Sequence, residues 1–359
     1  MSDFSIVIPT YNEKENIINL IYEIQNELAA FPYELIIVDD NSPDKTSEIV
    51  KTFVRENNKK NIICINRSWH KGLSSAVVEG MAASNSEFII VMDGDGQHDP
   101  KDIFQLVKTQ KDHELDLVIG SRFYSDNSNI NLSNNRSYLS KLGIKLSKIF
   151  IGDKYSDPLT GFFLIRREIL QSIQKEIYKD GFKILFDVLM LKRDLQSHEI
   201  QINFRARSAG DSKLNLSTLA HLIGQIVENL SFRLIPSTFF VFSVIGSLGV
   251  IIHLLTLYLF LSMGFAYILS NFLGSAFALI SNYFLNNYLT FNNLHNTFVS
   301  RVFGLIKYSF FNSLSLVANI GVAAYLYLDN FSIAISTLLG ITAGLLLNYF
   351  LSRNIVFKL

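Results

Sequence analysis

The segment FIIVMDGDGQHDP, residues 88–100, decides the fold of the first part of the chain. Its first four residues are apolar and favour a β-strand, and Asp93 and Asp95 follow, separated by one glycine. Two carboxylates in this spacing at a strand end form a hard oxygen site that suits Mg²⁺ or Mn²⁺ against a diphosphate. Because Asp and Gly also form ordinary turns, the motif alone is only weak support for a metal site.

The surroundings of this segment favour an α/β domain. Short β-rich runs alternate with amphipathic stretches, which is typical of parallel strands connected by helices. We predict strands at 4–9, 35–39, 62–65, 88–93 and 117–120, and helices near 14–29, 43–57, 71–84 and 100–111. Ligands of open α/β sheets bind beyond the carboxyl ends of the strands, where the second and fourth strands carry acidic residues. The pattern therefore indicates a nucleotide-type ligand.

Two further motifs follow the first and second predicted strands. IPTYNE at 8–13 supplies an aromatic ring and a carboxylate, and VDDNSP at 38–43 supplies two carboxylates. Side chains of these types at neighbouring strand ends can stack on a base and accept hydrogen bonds from the base and a ribose. Asn, Pro and Asp are also turn residues, so each motif alone leaves a purely structural role open.

The last third of the chain has a very different composition. The sequence of 359 residues is 49 % hydrophobic and 18 % charged, which is too apolar for a wholly soluble protein. It contains 32 basic and 32 acidic residues, but from Pro236 onward only five charges remain: Arg301, Lys307, Asp329, Arg353 and Lys358. The part before Pro236 has mixed charge without a basic excess, which argues against a nucleic-acid partner.

Four apolar stretches in this last part are long enough to cross a bilayer, which takes about 20 helical residues. They lie at about 236–261, 266–289, 304–328 and 331–351. Basic residues precede the first stretch, flank the second connection and follow the last stretch, at Arg233, Arg301, Lys307, Arg353 and Lys358. Because cytoplasmic loops carry an excess of Lys and Arg, we predict four crossings with the first domain and both termini in the cytoplasm.

An amphipathic segment connects the two parts. In residues 214–233 the apolar side chains recur at steps of three and four, which predicts a helix lying flat on the bilayer surface. The alternative is a core helix of the first domain. We therefore divide the chain into a catalytic-type domain at 1–213, an interfacial helix at 214–233 and a membrane domain at 234–359.

The membrane part contains an internal echo. NYFLNNYLTF at 282–291 and NYFLSRNIVF at 348–357 share five of ten residues at an offset of 66. Two spans per unit restore the chain direction, so this indicates a parallel repeat. Asn282 and Asn348 are expected either to bond between helices or to face water at the cytoplasmic ends of their spans.

Taken in order, the motifs resemble one family over almost the whole chain. They are IPTYNE, VDDNSPD, MDGDGQHDP, GSRF, DPLTGFFLIRREIL at 157–170, GFKIL at 181–185 and FRARSAGDSKL at 204–214. This combination resembles the polyprenyl-phosphate (dolichyl-phosphate) mannosyltransferases, inverting glycosyltransferases, and the part from about 235 onward resembles a four-span GtrA-like membrane module. The resemblance implies a GT-A catalytic domain, Rossmann-like with a mostly parallel sheet, plus an all-α transmembrane domain of four helices.

The resemblance also implies roles for individual residues. The catalytic residues would be Asp93, Asp95, Arg122 and Arg207. The sequence departs from the family pattern at Ser74, where a second glycine is usual. Residues implied at the nucleoside are Pro9, Tyr11, Glu13 and Asp40, those at Mg²⁺ or Mn²⁺ are Asp93, Asp95 and Gln97, those at the acceptor phosphate are Arg122, Arg136 and Ser140, and those of a loop that closes over the donor are Arg207, Ser212 and Lys213.

These basic residues fit the chemistry of joining two anions. A lipid phosphate with a second pKa near 6 is largely dianionic at neutral pH, so it needs no strong catalytic base. What it needs is compensation of charge while the nucleoside diphosphate departs. Arginines supply this by bidentate contacts with phosphate oxygens. His98 is accordingly expected to be a hydrogen-bonding support, and Asp157 either shapes the acceptor pocket or starts a turn.

The implied function is transfer of a hexose, most directly mannose from GDP-mannose, to a polyprenyl phosphate at the cytoplasmic face of the membrane, with inversion. One alternative changes only the donor, to UDP-glucose or another UDP-sugar. An alternative of another class is a lipid-linked sugar translocator or membrane scaffold with an inert head. A processive polysaccharide synthase is disfavoured, because such enzymes carry a Gln-x-x-Arg-Trp signature and the single tryptophan here is Trp69.

Overall fold

The structure is a computed structural model that describes residues 4–68, 72–124, 134–177, 183–206, 216–231, 234–291 and 298–357. The chain forms two compact units. The first unit comprises Met1–Leu214 and the second comprises Asn215–Leu359. Each unit has its own hydrophobic core.

The first unit is an α/β domain. Its described strands are β1 (Phe4–Thr10), β2 (Tyr33–Asp39), β3 (Ile62–Asn66), β4 (Phe88–Val91), β5 (Leu117–Ser121), β6 (Phe163–Arg166) and β7 (Ser197–Gln201). Its described helices are α1 (Ile17–Glu27), α2 (Thr46–Glu56), α3 (Leu73–Ala83), α4 (Lys101–His113), α5 (Asn134–Ile151), α6 (Arg167–Ile173) and α7 (Ile184–Leu191).

The seven described strands form one sheet in the order β3-β2-β1-β4-β6-β5-β7. Six strands run in the same direction, and β6 is antiparallel to both of its neighbours. The carboxyl ends of β1, β2, β4 and β5 consequently lie at one edge of the sheet. β6 enters the sheet from that same edge, so the residues just before it meet the residues just after β4 and β5.

The two faces of the sheet are covered by different helices. Successive side chains of a strand point to opposite faces, and in β1 Ile6 and Ile8 pack in one cluster with α1, α2 and α4, whereas Val7 packs in the other with α3, α6 and α7. The central strands are apolar on both faces because both faces are covered. This rigid layer fixes the positions of the strand ends.

The second unit is all-helical in its described residues. Its helices are α8 (Leu216–Leu230), α9 (Ser237–Ser262), α10 (Tyr267–Leu285), α11 (Phe298–Leu328) and α12 (Ile333–Leu351), and α10 and α12 each continue into a π-helical turn, Asn286–Thr290 and Ser352–Val356. By length and composition, four described helices can cross a membrane, at Ser237–Ser262, Tyr267–Thr290, Val299–Leu328 and Leu338–Val356. These agree with the four predicted spans.

The predicted repeat is confirmed in the second unit, because α10 with its π-turn and α12 with its π-turn have the same bounds at the offset of 66. Helices α9 and α10 form one hairpin, and α11 and α12 form the other. The contacts between the two hairpins are reciprocal. The ring of Tyr283 lies 5.7 Å from that of Tyr308, and the equivalent ring of Tyr349 lies 5.6 Å from that of Phe242. The second unit is thus a pseudo-twofold pair of helical hairpins.

The predicted interfacial helix forms as α8, and it packs within the second unit. Leu222 and Ile226 are buried, and Gly224 lies so close to the first residue of α9 that a Cβ there would be 2.9 Å from the carbonyl oxygen of Ser237. The Glu228 carboxylate accepts the Ser237 backbone N–H at 2.9 Å, and so bonds to one of the N–H groups that the first turn of a helix does not use internally. Contact of α8 with the bilayer surface stays a prediction.

The sequence missed two strands of the sheet. β6 and β7 have four and five residues and lie in segments whose strand character was not recognised. The mostly parallel sheet that the family resemblance implies is confirmed, and β6 is its antiparallel strand, paired with β4, which lies 72 residues earlier in the chain. Such long-range pairing depends on tertiary packing rather than on local pattern.

Candidate active site

The polar residues that follow the parallel strands line one edge of the sheet, as the sequence predicted. Asp39 ends β2, Asp93 and Asp95 follow β4, and Arg122 follows β5. Asp93 lies within electrostatic reach of Arg122, although β4 and β5 are separated by β6. The acidic motif and the arginine therefore belong to one site.

Asp39 is a structural anchor of the loop after β2. Its side chain is fully buried and accepts hydrogen bonds from the Ser42 backbone N–H at 2.9 Å and from Thr10 Oγ1 at 3.1 Å. The loops after β1 and β2 are thereby joined. Pro9 is the last residue but one of β1, and Tyr11 directly follows the strand.

The residues expected at the nucleoside lie around this joint. Glu13 is buried, and its carboxylate accepts a hydrogen bond from Asn16 Nδ2 at 3.0 Å. Burial raises the pKa of the partly exposed Tyr11 hydroxyl, and the charges of Asp40, Asp44 and Asp39 raise it further. The Tyr11 hydroxyl consequently stays protonated, and three carboxylates lie within electrostatic reach of it.

Asp40 is held by a residue that the sequence did not single out. Arg67, which follows β3 and is 3 % exposed, donates from Nε to Asp40 Oδ1, and the Gly72 backbone N–H donates to Asp40 Oδ2 at 2.9 Å. Arg67 also donates from Nη1 to Ser75 Oγ at 2.9 Å. The rule that polar residues after strands line the site would have found Arg67, because it follows β3 as Asp40 follows β2.

The loop that carries the acidic motif is tied to the chain after β7. Asp95 is buried and accepts the Gln97 backbone N–H at 3.1 Å. Gln97 donates from Nε2 to the carbonyl oxygen of Arg205 at 3.2 Å, and the Arg205 backbone N–H donates to the carbonyl oxygen of Gln97 at 2.8 Å. This leaves Gln97 Oε1 as the atom of its side chain that is available to a cation.

Gly161 makes room for the first carboxylate of the motif. A Cβ at this position would lie 2.5 Å from Asp93 Oδ2, so any other residue would displace the carboxylate. About a third of the Asp93 side chain is exposed, whereas that of Asp95 is buried. Gly161 thus sets the position of Asp93.

Two carboxylates and one amide oxygen form the donor set of the candidate metal site. Among the described residues, no group of three or more His, Cys, Asp or Glu side chains could hold a metal ion. Mg²⁺ binds through one or two carboxylates and completes its shell with water and substrate phosphates. The hard oxygen donors of Asp93, Asp95 and Gln97 therefore fit a cation that is shared with a diphosphate, and they do not form a closed protein cage.

His98 is a support for this loop. Its ring is 1 % exposed, stacks on Phe162 with 5.0 Å between ring centroids, and accepts the Asp93 backbone N–H on Nδ1 at 3.4 Å. Burial lowers the pKa of His98, and the charges of Asp93 and Asp95 offset this only in part. The neutral ring thus supports the loop by accepting the Asp93 N–H and stacking on Phe162, as the sequence favoured.

Arg122 is fixed by a bidentate ion pair. Its Nε and Nη2 donate to Asp157 Oδ2 and Oδ1 at 2.6 and 2.9 Å, and Asp157 is fully buried. Burial alone would lower the pKa of Arg122, but the charge and hydrogen bonds of Asp157 more than offset it, so the pKa is raised. Asp157 therefore does more than start a turn, because it orients Arg122 and leaves Nη1 for a ligand.

A second carboxylate holds the turn that carries Asp157. Glu199, a buried residue of β7, accepts the Ser156 backbone N–H at 2.8 Å and the Asp157 backbone N–H at 3.2 Å. Glu199 of β7 thus positions Asp157, and Asp157 in turn positions Arg122. The sequence carried no signal for Glu199, because β7 was not recognised as a strand.

Lys183 adds a further cation to the site. It directly precedes α7 and lies within electrostatic reach of Asp93, Arg122 and Asp157. Burial lowers the pKa of Lys183, and the attraction of Asp93 offsets this only in part. The GFKIL motif contains this residue, so its place in the motif was a signal, but no role was assigned to it from the sequence.

The structure places the remaining expected residues only in part. Ser140 lies on α5 and is partly buried, and Arg136 lies in the same helix. The side chain of Arg136 lies outside the described residues, as do Arg207, Ser212 and Lys213. Their contacts with an acceptor phosphate or a donor stay predictions.

Comparisons with known proteins find relatives of both units. Residues 5–174 match Glycosyl transferase family 2, and residues 241–357 match the GtrA/DPMS, transmembrane domain. The chain is 30 % identical to a dolichol-phosphate mannosyltransferase of Pyrococcus furiosus over 98 % of both chains. It is also 30 % identical to a dolichol-phosphate mannosyltransferase of Saccharomyces cerevisiae, over 64 % of this chain and 88 % of that one.

A solved structure shows the same fold for the first unit. It is glucosyl-3-phosphoglycerate synthase of Mycobacterium tuberculosis in complex with Mn²⁺, uridine diphosphate and phosphoglyceric acid. The TM-score is 0.51 at 20 % identity, covering 64 % of this chain and 78 % of that chain. At this identity the likeness concerns the fold alone, which is GT-A.

The fold, the acidic strand end and the matching domain define a glycosyltransferase with a GT-A catalytic unit and a membrane-integral second unit. Within that class, the match to the Pyrococcus furiosus enzyme extends over nearly the whole chain. The chain belongs to the dolichol-phosphate mannosyltransferase family.

Proposed function

We propose that this protein transfers mannose from GDP-mannose to a polyprenyl phosphate at the cytoplasmic face of the membrane, with inversion at the anomeric carbon. The observation that carries the proposal is the meeting of Asp93 with the oriented Arg122 at one sheet edge. The names of the family relatives support mannose and a dolichol-type acceptor. Basic residues beside the predicted spans support the cytoplasmic face.

On the donor side, Tyr11, Glu13 and Asp40 would hold the nucleoside, with Pro9 shaping the loop. The carboxylate of Asp40 keeps acceptor capacity although Arg67 and Gly72 already donate to it, because each oxygen has two lone pairs. Arg67 would then act through Asp40, by fixing its orientation. Arg207 and Lys213 would cover the donor, as the resemblance to the family implies.

A divalent cation, Mg²⁺ or Mn²⁺, would be held by Asp93, Asp95 and Gln97 and would neutralise the diphosphate. In this arrangement Asp95 holds the Gln97 backbone, so the loop presents its oxygen atoms without rearrangement. Gly161 keeps Asp93 in place from the opposite side. The donor diphosphate would complete the cation's oxygen shell.

On the acceptor side, the dianionic lipid phosphate would be bound by Arg122, Arg136 and Ser140. Its oxygen forms a bond to the anomeric carbon while the bond from that carbon to the diphosphate breaks, and the electron pair leaves on GDP. A single displacement of this kind inverts the configuration. Because Asp157 fixes Arg122 in advance, its positive charge meets the phosphate without reorganisation.

A donor screen tests this proposal. Purified protein in vesicles with a polyprenyl phosphate and Mg²⁺ would be given radiolabelled GDP-mannose, UDP-glucose or UDP-N-acetylglucosamine, and label in the organic phase would be counted. We expect label only from GDP-mannose, none after addition of a chelator, and recovery with Mg²⁺ or Mn²⁺. If only a UDP-sugar gave label, GDP-mannose would be wrong as the donor. If no donor gave label, the proposed transferase activity would be contradicted.

A variant pair separates the enzyme from a translocator. Asp95→Asn is expected to abolish label transfer, whereas Asp112→Asn, on the exposed face of α4, should leave it unchanged. Movement of a sugar lipid across the bilayer that survives Asp95→Asn, in a protein without transferase activity, would favour the translocator. In sealed inside-out vesicles GDP-mannose should be used from outside, which tests the membrane face.

A further inference from the structure

The segment that follows β7 is bonded to the loop of the acidic motif. Gln97 uses both its side chain and its backbone there, because Nε2 donates to the carbonyl oxygen of Arg205 at 3.2 Å and the Gln97 carbonyl oxygen accepts the Arg205 N–H at 2.8 Å. The next residue of the loop, His98, pairs with Phe204 as an antiparallel bridge. The backbone of Arg205 is therefore the support against which the Gln97 amide rests.

The side chain of Arg205 holds this support in place. Its Nη1 donates to Glu23 Oε2 of α1 at 2.6 Å, and its Nη2 lies 2.6 Å from Asp99 Oδ1. Asp99 is buried and also accepts the Lys101 backbone N–H at 3.0 Å, at the start of α4. The planar guanidinium bonds to both carboxylates in fixed directions, which the point charge of a lysine does not. One arginine thus connects α1, the start of α4 and the segment after β7.

These contacts decide which end of the Gln97 amide faces the cation site. Because Nε2 donates to the Arg205 carbonyl oxygen, the acceptor atom Oε1 is the one left for a cation. An amide carries a donor end and an acceptor end. If the backbone of Arg205 moved, Nε2 would lose its partner, and the amide could turn over and present N–H groups to the cation. The Gln97 ligand is therefore only as well oriented as the backbone of Arg205.

We infer that Arg205 is a positioning residue of the cation site, which keeps the Gln97 oxygen directed at the cation by fixing the backbone that the Gln97 amide bonds to. The inference rests on the proposed function, in which a divalent cation neutralises the donor diphosphate. Loss of a group that orients a metal ligand costs about 10- to 100-fold in affinity. Charge alone predicts the opposite sign, because removal of a positive side chain favours a bound cation.

Binding of Mn²⁺ alone tests the inference without using activity. Free Mn²⁺ would be measured by electron paramagnetic resonance in titrations of the full chain in detergent. Arg205→Met removes the guanidinium and keeps an apolar stem, and we expect Mn²⁺ to bind roughly tenfold more weakly. Arg205→Lys keeps the charge but not the two fixed bonds, so it should also bind Mn²⁺ more weakly, and it carries the same comparison should Arg205→Met not fold.

Arg166→Met is the matched control. Arg166 also bridges two carboxylates, Glu87 and Asp116, but it ends β6 opposite the first residue of β4 and so lies at the far end of the strands from the acidic motif. The side chains of Arg205 and Arg166 are 37 % and 29 % exposed, so both variants should lower the Tm by similarly small amounts. Only Arg205→Met should change the affinity for Mn²⁺.

A double-mutant cycle identifies the residue through which Arg205 acts. Gln97→Ala removes the amide oxygen and should itself weaken Mn²⁺ binding. If Arg205 acts through that amide, Arg205→Met should cause no further loss in the Gln97→Ala background. In label transfer by the wild-type Gln97 protein, Arg205→Met should raise the Mn²⁺ concentration for half-maximal rate by the same factor as the dissociation constant, and excess Mn²⁺ should recover part of the lost rate.

The outcomes separate the positioning role from the proposed function. Unchanged or tighter Mn²⁺ binding in Arg205→Met, or effects of Arg205→Met and Gln97→Ala that simply add, would overturn the positioning role even if label transfer is intact. Absence of Mn²⁺ binding by the wild type would also overturn it, because there would be no cation site to position. Weaker Mn²⁺ binding that depends on Gln97, in a protein that transfers no label from any donor, would support the positioning role and contradict the transferase.

Discussion

At the scale of single residues, the site depends on charged groups that are fixed before any substrate arrives. Arg122 is held by Asp157, Asp40 is held by Arg67, and Glu199 holds the turn of Asp157. Hydrogen bonds between buried charged groups are stronger than those of neutral groups and leave little freedom. The charged groups of the candidate site are therefore held in fixed orientations.

Asp157→Asn should weaken acceptor use strongly. The change removes the negative partner of Arg122 while keeping the side-chain shape, and loss of one partner of a buried pair costs about 3 kcal/mol. We expect kcat/KM for polyprenyl phosphate to fall roughly 100-fold, with a smaller fall in Glu199→Gln. Steady-state kinetics at varied acceptor concentration would measure this, with the exposed Asp194→Asn as control. Wild-type kinetics in Asp157→Asn would contradict the positioning role.

Asp102 should make the stability of the first unit depend on pH. Burial raises the pKa of this carboxyl from 3.8 to about 6, although its oxygen accepts the Asn203 backbone N–H at 2.8 Å. The folded state thus binds the proton of Asp102 more tightly than the unfolded state does. The contribution of this group to stability is therefore largest below pH 3.8, and it is lost as the pH rises through about 6.

Asp102→Asn should remove this dependence. Because the amide carries no charge, its free energy of unfolding at pH 7 should exceed that of the wild type by about 1 kcal/mol, after allowance for solvent screening. Thermal unfolding in detergent between pH 4 and pH 7 would measure both effects. Asp112→Asn on the exposed face of α4 should keep the wild-type slope, and a variant at 102 that keeps it would refute the assignment.

At the scale of elements, the two membrane hairpins use the same close contact. In α10, a Cβ at Gly274 would lie 2.9 Å from the carbonyl oxygen of His253 in α9. In α12, a Cβ at Gly340 would lie 2.6 Å from the carbonyl oxygen of Asn319 in α11. Both pairs are related by the offset of 66, so small residues let the helices of each hairpin approach in the same way.

Gly274→Ala and Gly340→Ala should therefore destabilise the second unit by similar amounts, about 1–3 kcal/mol each, because the added methyl group overpacks the helix contact. Gly321→Ala is the matched control, since a Cβ there meets nothing within 4 Å and alanine favours a helix. Thermal unfolding in detergent would compare the three variants. An effect of Gly321→Ala equal to the other two would show that helix propensity, not packing, decides.

At the scale of the whole molecule, each unit has its own architecture, and the second unit is built on a pseudo-twofold axis. The repeat-equivalent rings of Phe291 and Phe357 stack on each other with 4.4 Å between centroids. Tyr349 bonds to Thr238 at the start of α9, and Tyr283 donates to the carbonyl oxygen of Arg301 near the start of α11 at 2.9 Å. The hairpins are thus joined by contacts that each makes to the other.

A double-mutant cycle on Phe291→Ala and Phe357→Ala should show that the stacking of these two rings stabilises the second unit. Stacked aromatic pairs contribute about 1 kcal/mol beyond the area that they bury, so the double variant should lose about that much less than the sum of the singles. The cycle would be measured by thermal unfolding in detergent. The pair Phe291 and Phe350, whose second ring is 59 % exposed, should be additive. Additive effects of Phe291→Ala and Phe357→Ala would contradict a stabilising contact between the two hairpins at these rings.

The sequence by itself determined the elements whose signals are local. Strand alternation and helix periodicity located β1 to β5 and α1 to α4, the scarcity of charge located the four spans, and the echo at an offset of 66 located the repeat. The acidic motif and GSRF identified two parts of the site, because polar residues that follow parallel strands share one edge of the sheet.

The tertiary structure alone decided which distant residues meet. The antiparallel β6, the pairing of Arg67 with Asp40, the hold of Asp157 on Arg122 and that of Glu199 on Asp157 all join segments 27 or more residues apart. Their energy comes from burial and from hydrogen bonds formed across the folded sheet edge, which no local window of sequence contains. The periodic pattern therefore sets the elements, and desolvated charge pairs between them set the site.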